Sequence, residues 1–458
     1  MTNPFAVMGT VMQTTSPSSL SVAELVLAVG ADGVILATHE AGTPEGDAVM
    51  ADSTHVVRLR PDQRLLPGMI DLHIHAPQWP QLGTGLDLGL EQWLFANTFP
   101  LEARYVDLSF ALSVWNHMVP TLLAHGTTTA VYYASIHEEA TTALAKACVA
   151  YGQRAFVGRV AMDHHTGTPE WYRDPSAADG IERSRRSIQD IRDVDAGAGL
   201  VQPILTPRFI PACTHELLEG LALLAAEFGV RVQTHCSESD WEHQHVLDRY
   251  GRSDTTMLAE LGLATRHSVL AHGNLMSDSD FDRAAAVGAG IAHCPLSNAY
   301  FANAVFPLRR AMERGVLVGL GTDIAGGAHP GLLGQCSVAV TASRLLEDGV
   351  DSRLAATIRG VEGSAIDSVT AFWLATAGGA DVLGIPAGRL KVGCVFDAFV
   401  IDLNGPQSPL HMWPSIDSDQ RIFEKIIRLG SPSDISAVYV QGRQVVGNER
   451  RTDGDARK

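Results

Sequence analysis

At 458 residues the chain is roughly three times the ~150 residues of a typical domain, and 46% hydrophobic content excludes wholesale disorder. Lys+Arg 34 against Asp+Glu 51 gives a net charge of −17, which argues against nucleic acid or an anionic membrane surface as the main partner. Six dispersed cysteines (Cys148, Cys213, Cys236, Cys294, Cys336, Cys394) make no C-x-x-C pair; with no leader-like segment in Met1–Leu20 and no bilayer-length apolar run, a soluble cytoplasmic protein is expected.

In chain order, Ala23–Val29 and Gly33–Thr38 predict a β-hairpin. A further β-rich run, His55–Leu59, leads to Leu66-Pro67-Gly68, whose proline and glycine mark a boundary. Beyond it, β-branched runs alternate with helix-period stretches. Strands are predicted at Met69–His75, Thr128–Ile136, Arg154–Met162, Val201–Phe209, Arg231–Glu238, His267–Asn274, Gly290–Asn298 and Val316–Ile324. Among the intervening helices, His215–Phe228 has Thr214 as N-cap and Gly229 as stop, and Ser277 with Asp280 forms a capping-box pattern. Eight strand–helix units predict an α/β fold of the (β/α)8 TIM-barrel type; an open doubly wound sheet does not need eight. After about Ile385, Gly393–Ile401 and Ile435–Val446 return to strand character, separated by the polar stretch Asn404–Pro414. The predicted organisation is a barrel over 67–385 and a small discontinuous β-sandwich domain from 1–66 and 386–458.

Chemistry concentrates at the predicted strand ends. Alternation puts His73 and His75 on one inward face of the first barrel strand, where two imidazoles can share a metal. A lone H-x-H is more often incidental. The fifth strand, however, ends in Thr234-His235-Cys236-Ser237-Glu238, the sixth in Ala271-His272-Gly273-Asn274 and the eighth in Gly321-Thr322-Asp323. Barrel enzymes place their chemistry at this C-terminal end of the strands. Taken singly, His235 or His272 could be a hydrogen-bonded core histidine and Asp323 a helix cap. Together, four such placements point to a metal site.

These residues resemble the amidohydrolase superfamily, through Pro67–His75 and the histidines and aspartate of strands five, six and eight. More narrowly, the chain is similar to the guanine deaminases along almost its whole length. The specific matches are His75-Ala76-Pro77-Gln78, Thr98-Phe99-Pro100, Thr206-Pro207-Arg208-Phe209, His235-Cys236-Ser237-Glu238, Gly319–Gly327 and Asp434–Val446. The resemblance implies zinc-dependent hydrolysis of guanine to xanthine and ammonia, with one zinc held by His73, His75, His235 and Asp323. Two-metal members of the superfamily commonly bridge their metals with a carboxylated lysine at the end of strand four. Here that strand ends in Thr206-Pro207-Arg208-Phe209, and the four lysines (Lys146, Lys391, Lys425, Lys458) lie elsewhere, so a mononuclear site is expected. Imidazole and carboxylate suit zinc and would also tolerate iron.

The resemblance further assigns Glu238 as proton shuttle; the plain alternative is an acid at the N-terminus of the next helix. His272 would orient the attacking oxygen, and Asp323 would relay a proton as well as bind metal. The set expected to hold the substrate is His75, Gln78, Arg208, Phe209, His235, Glu238 and Asp323. The alternatives for Arg208 and Phe209 are a salt bridge at the barrel rim and core packing. Two segments depart from the usual pattern: Cys294-Pro295-Leu296-Ser297-Asn298 running into Tyr300–Asn303, and Ala328-His329-Pro330 after strand eight. They leave room for 8-oxoguanine, an amino-pterin or another amino-heterocycle as substrate. A catalytically silent metal- or purine-binding barrel is the alternative of another class. A homodimer is implied by the resemblance alone.

Overall fold

The computed structural model describes residues 4–302 and 304–447; Asn303 and Lys458 lie outside the described residues. Five strands precede the barrel: β1 (Phe5–Ser16), β2 (Ser19–Val29), β3 (Ile35–Glu40), β4 (Val56–Arg58) and β5 (Gln63–Pro67). The predicted hairpin corresponds to β2 and β3, with β2 beginning earlier. Strand β1 is the notable omission from the prediction. Its first nine residues are largely buried without a regular alternation, so the period-2 signal is weak. It pairs antiparallel with β2 from Phe5↔Val29 to Ser16↔Ser19.

The barrel follows: β6 (Met69–His75), β7 (Thr127–Tyr133), β8 (Arg154–Gly158), β9 (Val160–Ala161), β10 (Val201–Pro207), β11 (Arg231–Cys236), β12 (Ser268–His272), β13 (Gly290–His293) and β14 (Leu317–Leu320). The parallel path runs β14-β13-β12-β11-β10-β8-β7-β6, with the short β9 paired to β10. Across the seam, His75 N donates to Ile324 O (2.9 Å) and Asp323 N to His73 O (2.8 Å). The barrel is therefore nearly closed, and these bonds tie the end of its first strand to the segment after its last. The predicted strand Arg154–Met162 is interrupted at Arg159, whose buried guanidinium reaches Ile136 O and pairs with Asp174. The predicted strand Gly290–Asn298 stops at His293, because Pro295 opens a helix, Pro295–Phe301.

The chain then returns through β15 (Ala398–Asp402), β16 (Ile435–Val440) and β17 (Arg443–Val446). Strand β15 lies antiparallel to β5, Ala398 opposite Pro67, so the two chain ends meet directly. The predicted strand Gly393–Ile401 begins only at Ala398, and Ile435–Val446 is a hairpin turning at Gln441-Gly442. The strands form one mixed sheet in the order β17-β16-β15-β5-β1-β2-β3, with β4 alongside β1. Phe396 N donates to Gly33 O (2.8 Å), and a bridge joins Val34 to Val395, bringing the loop after β2 against the entry to β15. The predicted sandwich is thus one sheet folded over a core that includes Phe5, Leu27, Ile35, Leu65, Phe396 and Tyr439.

The helix His215–Phe228 has the predicted caps, with Thr214 Oγ1 accepting from Leu217 N and Gly229 left-handed. Ser277 and Asp280 complete their capping box. The helices Pro44–Asp52 and Asp419–Leu429 were not predicted. No described helix is long and apolar enough to cross a membrane.

Candidate active site

The C-terminal ends of β6, β11 and β12 and the turn after β14 bring the predicted polar residues together. His75 Nε2 lies 3.0 Å from His235 Nε2. Asp323 Oδ1 lies 3.1 Å from His73 Nε2 and 3.5 Å from His75 Nε2. Burial, reinforced by neighbouring histidines, lowers all three imidazoles well below their ordinary range, so they stand as neutral donors of lone pairs. Two neutral nitrogens facing each other at 3.0 Å, with a carboxylate beside them, share no full set of protons. His73 Nε2 has no hydrogen-bond partner despite its buried position. These are the marks of a cation site, and His73, His75 and Asp323 all offer ligand atoms within 4.8 Å of one another.

Hydrogen bonds around the cluster select the tautomers. His235 Nδ1 is 2.6 Å from the Arg208 carbonyl oxygen, which can only accept, so Nδ1 carries the proton and Nε2 is free. His272 Nδ1 is 2.9 Å from Asn298 Oδ1, which frees its Nε2 in the same way. That unpartnered Nε2 stands 3.6 Å from Glu238 Oε1 and 4.0 Å from Asp323 Oδ2. Burial and then the Asp323 charge push the Glu238 carboxyl well above the usual carboxylate range. Burial raises Asp323 as well, against the lowering effect of His272.

Backbone shape aims these side chains. Ser237, His272 and Asp323 have φ of 51°, 75° and 49°, in the left-handed region that costs a non-glycine residue energy. Around Glu238, Ser237 N donates to Asp254 Oδ1 (3.2 Å), Glu238 N to Glu242 Oε2 (2.8 Å), and Asn274 Nδ2 to Glu238 O (2.9 Å). Ser239 caps the following helix, whose first-turn acids are Asp240 and Glu242; Glu238 precedes the cap and faces the pocket. Asp323 likewise caps nothing, since the next helix begins at Leu332.

The pocket is narrow and is lined by His75, Gln78, Leu90, Trp93, Leu94, Arg208, Phe209, His235, Glu238, Phe301 and Asp323. Arg208 is both in a salt bridge and in the pocket wall. Its fork donates to Glu102 Oε2 (2.6 Å) and Oε1 (3.1 Å), fully buried rather than at the rim. Gln78 Nε2 also donates to Glu102 Oε1, at 3.0 Å, while Gln78 Oε1 accepts from Ala325 N. Phe209 packs among aromatics and still presents itself to the pocket. Of the loop that opens at Tyr300, Phe301 narrows the pocket against Trp93 (ring centroids 5.0 Å apart), whereas Tyr300 is exposed and takes no part in the lining. His329 and Pro330 line a separate cavity with His125.

Glu102, Asp71 and Asn298 are absent from the predicted set. Asp71 accepts from His73 N, Thr322 N and Thr322 Oγ1, tying the first strand to the eighth; burial pushes its carboxyl up to about 7 against these bonds. Its signal was available in Asp71-Leu72-His73, where it shares the inward face of His73. Asn298 closes the segment Cys294-Pro295-Leu296-Ser297-Asn298, and Glu102 lies two residues beyond Thr98-Phe99-Pro100.

Residues 64–445 match the amidohydrolase family model. A guanine deaminase of Dictyostelium discoideum is 35% identical over 390 residues, 83% of this chain and 82% of that protein. The human guanine deaminase is 33% identical over 388 residues, again 83% and 82%. The crystal structure of the C. acetobutylicum guanine deaminase with bound guanine superimposes with a TM-score of 0.85 at 26% identity, covering 96% of this chain and all of that one. The chain belongs to the amidohydrolase family. Within it, its place is among the guanine deaminases.

Proposed function

We propose that this protein hydrolyses guanine to xanthine and ammonia. The observation that carries the reading is the position of Glu238, 3.6 Å from His272, in one pocket with His75, His235, Asp323, Gln78 and Arg208. Proton-transfer groups, ligand atoms and a polar recognition wall therefore face a single small cavity.

His73, His75, His235 and Asp323 would hold one zinc, with iron the alternative suited to the same donors. When bound there, the metal would act as a Lewis acid and lower the pKa of a water to about 7. In the hydrolysis, a water oxygen bonds to the ring carbon that carries the exocyclic amine, and the carbon–nitrogen bond to that amine then breaks. Glu238 takes the water's proton and passes it to the adjacent ring nitrogen; its raised pKa suits a carboxyl that must alternate between acceptor and donor. The proton of the newly added hydroxyl then moves to the amine, so ammonia departs and leaves a ring carbonyl. His272, held by Asn298, directs its free Nε2 at the same space and orients the water. Asp323 faces both His272 and the ligand cluster, so it can relay a proton between them. Gln78 and Arg208 bind the ring's polar edge, and Phe209, Trp93 and Phe301 enclose its faces. We further assign the barrel to 67–385, the small domain to 1–66 and 386–458, and the protein to the cytoplasm as a homodimer.

Glu238→Gln should keep its metal and lose several orders of magnitude in guanine turnover. A variant that still hydrolyses guanine at the original rate would remove Glu238 from the mechanism.

A further inference from the structure

The Glu102 carboxylate is buried beneath the pocket wall and carries the hydrogen bonds of two recognition side chains at once. We infer that Glu102 is a positioning residue that fixes the wall formed by Gln78 and Arg208 as hydrogen-bond donors only, selecting rings that present acceptors there. The inference rests on the reading of Gln78 and Arg208 as the substrate-binding edge.

Two separate contacts fix the Gln78 amide. A carboxylate held by the Arg208 fork accepts and does not donate, so the group at 3.0 Å from Glu102 Oε1 is the Gln78 NH2. The Ala325 backbone N–H can only donate, and it lies 3.1 Å from the other end, which is therefore the carbonyl oxygen. With its oxygen held toward Ala325 and one N–H toward Glu102, Gln78 keeps its second N–H as a further donor. Arg208 has five N–H groups, of which Glu102 takes two, and it accepts nothing. The wall consequently offers N–H donors from both residues. A ring carbonyl or unprotonated ring nitrogen fits it; an exocyclic amine in the same place would set donor against donor.

Glu102 does this from the helix Phe99–Ala103, which continues the segment carrying the pocket residues Leu90, Trp93 and Leu94. One carboxylate thus joins the pocket's cover to its polar wall. Replacing it with glutamine changes the logic without a large change in size. Whichever way its amide turns, the new side chain sets an NH2 against one N–H of the Arg208 fork, so the fork loses its fixed position and the donor wall its geometry, while Ala325 N still holds Gln78 Oε1.

The test uses xanthine and isoguanine, which differ in whether position 6 carries a carbonyl or an amine and which both lack the 2-amino group. Binding is measured by calorimetry on the metal-loaded full chain in a Glu238→Gln background, which silences hydrolysis. The parent should bind xanthine roughly 30- to 100-fold more tightly than isoguanine. Adding Glu102→Gln should shrink the ratio to about threefold or less, and Glu102→Asp, which keeps an accept-only partner, should restore most of it. A folded, metal-loaded Glu102→Gln protein that keeps the parent ratio overturns the inference. Should that variant not fold, Gln78→Met decides: it leaves Glu102 and Arg208 paired but removes half the donor wall, and an unchanged ratio overturns the inference equally. Because neither ligand carries the 2-amino group, absent guanine turnover alongside a retained 6-oxo preference would sink the proposed reaction and leave this inference standing.

Discussion

His272 shows how far one hydrogen bond governs the chemistry of a residue. Its Nε2 faces Glu238 and Asp323 only because Nδ1 is held by Asn298 Oδ1. Asn298→Leu should leave the fold intact and lower kcat about 10- to 100-fold, by releasing the ring and its tautomer. Steady-state kinetics beside a thermal melt would check this; unchanged kcat would show that the ring's orientation is set elsewhere. At this scale the sequence was most informative where a polar residue interrupts an apolar strand. His73, His75, His235, His272 and Asp323 are conspicuous there, and the structure brings all five to one end of the barrel. Glu102 is inconspicuous for the opposite reason. A glutamate near a short helix is ordinarily solvated, and only its burial beneath Arg208 reveals otherwise.

Between the strands, turn geometry does what single side chains cannot. The turn after β14 folds Thr322 O back over Gly327, where a Cβ would stand 1.9 Å from that oxygen. Gly327→Ala should therefore cost about 1–3 kcal/mol and disturb Asp323, whose carbonyl accepts from Gly327 N. Melting temperature and metal content would fall together; an unaltered metal content would detach this turn from the site. Most barrel strands were legible because each is a short β-branched run bounded by helix or turn signals. Their ends were not, as with Gly290–Asn298, where Pro295 starts a helix within the predicted strand. The helix Asp419–Leu429 was hidden behind a polar segment, although Ile422, Phe423, Ile426 and Ile427 fall on one buried face.

Across the whole molecule, the ends of the chain pair through β5 and β15, so the barrel's first strand enters from a sheet that its last helices rejoin. Titration of His243 gives the molecule a pH-dependent stability. Its hydrogen bond to Asp254 raises the imidazole above its ordinary range, while burial works against the shift. The stabilisation is complete below the unfolded pKa of about 6.5 and is lost as pH rises through the folded value. His243→Asn should remove the fall in stability that sets in as pH rises past about 6.5; a wild-type profile equally flat in denaturant titrations would contradict this. Elemental analysis addresses the metal at the same scale, with about one equivalent of zinc or iron per chain expected. Two equivalents, both needed for activity, would contradict a mononuclear centre.

The central claim is that this barrel deaminates guanine, and ammonia release by the purified protein across guanine, 8-oxoguanine and an amino-pterin tests it most directly. The account predicts rapid turnover of guanine, with one ammonia and one xanthine formed per guanine consumed. Negligible guanine turnover beside rapid turnover of another member of the panel would contradict it.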